Sequence, residues 1–155
     1  MDINRKLVEL LTKKNLKIST AESITGGRVI STIIEVPGAS NITEQSYVVY
    51  SNKAKVKVLG VDKEVINRYG VVSVEVAKEM AKKTKELTGA DIIITTTGEA
   101  GPNLNEREIM VGTICIGIII KDKEFQYKRM FTGDRLGIIN NTVAYVLNDL
   151  FMKLT

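Results

Sequence analysis

A serine stands where an apolar run gives way to a helical one. Ala21-Glu22-Ser23-Ile24-Thr25-Gly26-Gly27 follows Leu16-Lys17-Ile18-Ser19-Thr20 and opens onto Arg28-Val29-Ile30-Ser31-Thr32-Ile33-Ile34. A strand-to-helix turn of this kind exposes backbone N–H groups and the positive end of a helix dipole. Anions bind there, including the oxyanion of an acyl-transfer intermediate. Ser23 can therefore act as a nucleophile, with the amides along Thr25, Gly26 and Gly27 as oxyanion donors. It can equally cap the helix or bond within the turn, as short polar residues often do. The chain contains no histidine, so a nucleophilic Ser23 must find a different base.

Three further stretches carry candidate chemistry. Tyr50-Ser51-Asn52-Lys53-Ala54-Lys55 lies where a β-rich run meets a short helix, although Lys53 and Lys55 taken alone read as surface lysines. Thr96-Thr97-Gly98-Glu99-Ala100-Gly101-Pro102 ends a strand in a glycine loop that could admit a ligand close to the backbone, or could be a plain turn. Thr132-Gly133-Asp134-Arg135 precedes the last helix. Arg135 there could grip a phosphate or carboxylate as a fork, or form a helix-start salt bridge.

These positions depend on the elements that hold them. Ile3, Leu7, Leu10 and Leu11 share one face of a helix over residues 3–14. Strands are expected at 16–20, 44–51, 91–97, 111–120 and 124–132, the last two as a hairpin about Lys121-Asp122-Lys123. Helices are expected at 25–36, 52–59 (capped by Asn52), 63–69, from Ser73 to a stop at Gly89, and from Asp134 onward. Alternating helices and strands indicate an α/β chain: a three-layer α/β/α sandwich on a mixed, mostly parallel sheet of about five strands. Residues 1–155 read as a single domain. All four candidate stretches fall at strand ends, where open α/β sheets collect ligands, provided the second strand runs with the first.

Composition excludes several classes. With 44% hydrophobic and 26% charged residues the chain resembles an ordinary soluble globular domain. No apolar run approaches the ~18 residues of a membrane span, and the charged start Met1-Asp2-Ile3-Asn4-Arg5-Lys6 does not resemble a secretory signal. One cysteine, Cys115, gives no internal disulfide framework and suits a reducing, cytoplasmic setting. The net charge of +4 is spread over helix faces among acids. It builds no aromatic-studded basic patch for nucleic acid.

Taken together the motifs resemble the CinA C-terminal domain, the nicotinamide mononucleotide amidohydrolase family. The resemblance runs in order through Ala21-Glu22-Ser23-x-Thr25-Gly26-Gly27, Val36-Pro37-Gly38-Ala39-Ser40 and Tyr50-Ser51-Asn52-x-Ala54-Lys55. It continues through Tyr69-Gly70-x-Val72-Ser73, Gly98-x-Ala100-Gly101-Pro102, Val111-Gly112-Thr113 and Gly133-Asp134-Arg135. It implies a stand-alone form of the domain that hydrolyses the carboxamide of a small-molecule pyridine nucleotide. By matching position Ser23 would be the nucleophile, Lys55 the general base and Tyr50 its partner, with Thr97, Gly98 and Arg135 toward the substrate. No metal or cofactor is implied, and a homodimer or higher homo-oligomer is. A lysine base works only when neutral, so an amine ordinarily near ~10.4 must be lowered toward 7 at a cost of about 4 kcal/mol. Burial and the cations Lys53 and Arg135 would push that way, and Glu22 against it. Residues 103–110 depart from the family's usual Asp-Gly-Gly turn and are expected to border the pocket. Ile139 and Asn140 stand where relatives often carry arginine. A non-catalytic nucleotide-binding module that keeps the fold is the alternative.

Overall fold

The computed structural model describes residues 2–103 and 109–155. Five strands form one sheet in the order β2-β1-β3-β4-β5, with β1 at Ile18–Glu22, β2 at Tyr47–Val48, β3 at Ile92–Gly98, β4 at Thr113–Ile120 and β5 at Lys123–Met130. β1 pairs in parallel with both β2 and β3, whereas β3–β4 and β4–β5 are antiparallel. The antiparallel ladders are the longer ones, so the sheet is mixed but not mostly parallel. The hairpin accounts for one of these ladders: Lys121 adopts φ 56° and, with Asp122, turns the chain straight back from Ile120 to Lys123; the other forms because β4 runs against β3.

Helices cover both faces. α1 (Ile3–Lys14), α2 (Arg28–Ile34) and α6 (Arg135–Leu154) pack together on one side. The short α3 (Asn52–Ala54), α4 (Lys63–Tyr69) and α5 (Val74–Thr88) lie on the other. The continuous apolar run of β3 is divided between the two cores. Ile92 and Ile94 join Leu7, Leu11, Val146 and Leu150, while Ile93 meets Ala81 and Ile119. A third cluster joins Val49, Leu59, Ile66, Val76 and Met80 on the α5 side. Contact between α5 and the sheet is close: Thr95 donates to the Ala77 carbonyl at 2.8 Å, and a Cβ at Gly117 would lie 2.5 Å from that same oxygen. Cys115, in the middle of β4, is fully buried, and burial pushes its thiol up to about 11.

Local signals fix the helices. Ser73 accepts from the Val76 amide, Asp134 from Gly137, and Gly89 closes α5 in the left-handed conformation. Ser51, rather than Asn52, caps α3 by accepting from Ala54. The strands differ from the sequence expectation at their ends, β4 beginning at Thr113 rather than 111 and β5 ending at Met130 rather than 132, and most of all in β1 and β2. β1 begins two residues later and continues through Glu22. β2 shrinks to two paired residues at the sheet edge, because the Ser46 hydroxyl, not a backbone carbonyl, takes the Thr20 amide. α2 starts at Arg28 because Gly26 and Gly27 both hold positive φ. Among the described residues no helix is long and apolar enough to cross a membrane.

Candidate active site

Three parallel strands end at one edge, and the site is built on those ends. Ser23 follows β1, Tyr50 lies two residues past β2, and Thr97 and Gly98 close β3. The chain then enters α3, and from Lys55–Leu59 it widens into a π-helical turn, a rare geometry that often marks functional positions. Lys55 opens that turn and is carried inward, with only 1% of its surface exposed. Its Nζ donates to Ser23 Oγ at 3.0 Å and, at a longer 3.5 Å, to the Tyr50 carbonyl. Burial lowers the Lys55 amine from its ordinary 10.5 to about 8. Lys53 is exposed and contributes nothing to this shift, and the Arg135 guanidinium is directed elsewhere.

Ser23 is therefore no helix cap. α2 is capped by Gly27, and the Ser23 hydroxyl faces Lys55 in a cleft of about 200 Å³. The cleft is lined by Ser23, Ile24, Tyr50, Asn52, Lys55, Val71 and Val72, together with Thr97, Gly98, Glu99, Ala100 and Arg135. Thr97 donates to the Val71 carbonyl at 2.8 Å, fixing the Val71–Val72 wall to the end of β3. Tyr50 joins the site differently from the expected proton partner. Its carbonyl faces Ser23 and Lys55, while its hydroxyl accepts from Arg135 at 2.8 Å. A second Arg135 nitrogen donates to the Gly101 carbonyl, so Arg135 ties the Tyr50 rim to the glycine loop, with no salt bridge among the described residues.

The helix dipole is not left open for a substrate. Glu22, fully buried, accepts from the amides of Val29 and Ile30 at 2.9 and 3.0 Å and from the hydroxyls of Thr20 and Thr25 at 2.9 and 2.6 Å. Its charge thus settles on the first turn of α2 rather than beside Lys55. Thr25 also meets Thr96 at 2.8 Å, so its hydroxyl is used inside the protein. Neither Thr25, Gly26 nor Gly27 lines the cleft. Of the turn amides, Ser23 donates to Thr96 and Gly26 to Ser23, while those of Ile24 and Thr25 have no protein acceptor among the described residues.

Sequence reasoning had not marked Asn52, Val71, Val72 or Glu99 as lining residues, although all four fall within the motif segments. The expected wall at 103–110 lies largely outside the described residues, which omit 104–108. Asn140 accepts from Arg28 and Ile139 packs on the core, both away from the cleft. Roomier depressions, about 590 Å³ beside Ile34 and Pro37 and about 500 Å³ beside Lys78 and Lys82, hold no hydroxyl paired with a lysine. Among the described residues no cluster of His, Cys, Asp or Glu could hold a metal ion.

Comparison with known proteins agrees with this architecture. A CinA-like protein of Fusobacterium nucleatum is 46% identical over 145 residues, covering 94% of this chain and 35% of that protein. A CinA-like protein of Petrotoga mobilis is 43% identical over 129 residues, covering 83% of this chain and 32% of that protein. The chain thus spans about a third of the length of these relatives. The crystal structure of a competence or damage-inducible protein from Enterobacter asburiae superposes with a TM-score of 0.96 at 30% identity, covering 99% of this chain and 96% of that one. The family model for the CinA C-terminal domain matches residues 1–154, and the chain belongs to that family.

Proposed function

We propose that this chain is an amidohydrolase that converts nicotinamide mononucleotide to nicotinic acid mononucleotide and ammonia. The observation that carries the proposal is the buried 3.0 Å contact between Ser23 Oγ and Lys55 Nζ, made by an amine that burial has already lowered to about 8. In its neutral form Lys55 takes the Ser23 proton, and Oγ attacks the carboxamide carbon. The unengaged amide of Ile24, a residue of the cleft lining, is the donor on offer to the resulting oxyanion. The Lys55 ammonium returns its proton to the departing nitrogen, which leaves as ammonia. Water then cleaves the acyl-serine, again through Lys55, to release the carboxylate. The cleft is smaller than the ~300 Å³ of typical ligand sites, so it suits the ring and its amide, with the sugar phosphate at the open mouth near Arg135.

The test is ammonia release from nicotinamide mononucleotide by the purified chain. Turnover should fall by at least about 10³-fold in both Ser23→Ala and Lys55→Ala. Activity that survives both substitutions refutes the mechanism. Absence of turnover in the wild type refutes the substrate.

A further inference from the structure

Among the described residues Glu99 is the only carboxylate that lines the cleft, and it is held firmly there. Its amide donates to the Thr113 carbonyl at 3.0 Å and its carbonyl accepts from Gly112 at 2.7 Å, so the entry to β4 fixes the backbone on both sides. The side chain is half-buried, and its Oε1 accepts from the Gly101 amide at 3.4 Å. No cation among the described residues pairs with it. The two cations of the cleft are committed elsewhere: Lys55 to Ser23, and Arg135 to Tyr50 and the Gly101 carbonyl. A half-buried carboxylate without a counter-ion is costly, and a cationic ligand beside it would offset that cost. A neutral amide would not.

We infer that Glu99 is a specificity determinant that selects amides carried on a positively charged heteroaromatic ring over neutral ones. The inference rests on the amidase reading for its substrate class. It places opposite charges on one rim, because Arg135 reaches the carbonyl of Gly101 just two residues beyond Glu99. A zwitterionic nucleotide, cationic in its ring and anionic in its phosphate, matches that arrangement. The competing role for Glu99, simply accepting from Gly101, would be preserved by glutamine.

The experiment uses the full chain with Ser23→Ala, which binds without turning over. Titration calorimetry compares nicotinamide mononucleotide with its 1,4-dihydro form, which keeps the amide and the phosphate but has an uncharged ring. Adding Glu99→Gln should weaken binding of the oxidised nucleotide about five- to tenfold and change the reduced one less than twofold. Equal weakening of both forms, no change in either, or failure of both to bind overturns the inference. Ammonia release by the wild-type chain judges the amidase reading separately, since the titrations need no turnover.

Discussion

Lys55 combines two properties that lysine seldom has together: full burial and direct contact with a hydroxyl. Because only the neutral amine can accept the Ser23 proton, and the amine titrates at about 8, the pH profile has a defined sign. kcat/KM should rise about tenfold per pH unit below 8 and level off above it, as measured by initial rates from pH 6 to 10. Lys55→Arg tests the same point with charge retained. Arginine cannot lose its proton at these pH values, so activity should be absent across the whole range. The family resemblance singled out Ser23, Tyr50 and Lys55 together, but the residues alone left the lysine looking like any other surface lysine. Its burial depends on a π-helical turn and on a wall at Val71–Val72 that comes from a later segment, neither of which local pattern encodes. Tyr50 shows a second limit. The residue was legible, but which of its oxygens faced the lysine was not.

At the scale of elements, caps explain what could be read. α4 and α5 appear within a residue of their expected bounds because Asp62, Ser73, Gly70 and Gly89 act on neighbours only a few residues away. β1 was misplaced because its last residue is a buried carboxylate, and a glutamate ordinarily reads as exposed. Its burial makes sense only once Thr20, Thr25 and the first turn of α2 converge on it. Glu22→Gln puts that explanation to the test. The amide nitrogen would face donors where an oxygen now accepts, and stability should drop by about 2–3 kcal/mol in urea unfolding. Gly117→Ala should cost a comparable ~2 kcal/mol or more, since its Cβ would press on the Ala77 carbonyl 2.5 Å away and force α5 off the sheet. Serine at the Thr95 position would keep the hydroxyl bond to Ala77 and should be milder.

For the molecule as a whole, the lysine proposed as base works against the fold. The folded-state pKa of Lys55 lies below that of the unfolded chain, so between about 8 and 10.5 the unfolded state holds the extra proton and stability rises with pH. Below about 8 the charged amine remains buried, at a cost of about 3 kcal/mol relative to the alkaline limit. Lys55→Met should accordingly raise Tm at pH 7 by several degrees while abolishing turnover, a trade calorimetric melting would show directly. Cys115 decides how the molecule answers an electrophile. With the thiol held near 11 inside β4, roughly one molecule in ten thousand carries a thiolate at neutral pH. A phosphonylating reagent offered to the intact chain thus meets no competing sulfur. One covalent mass increment should appear, map to the peptide bearing Ser23, and vanish in Ser23→Ala, making the proposed nucleophile countable by mass spectrometry even before its substrate is in hand.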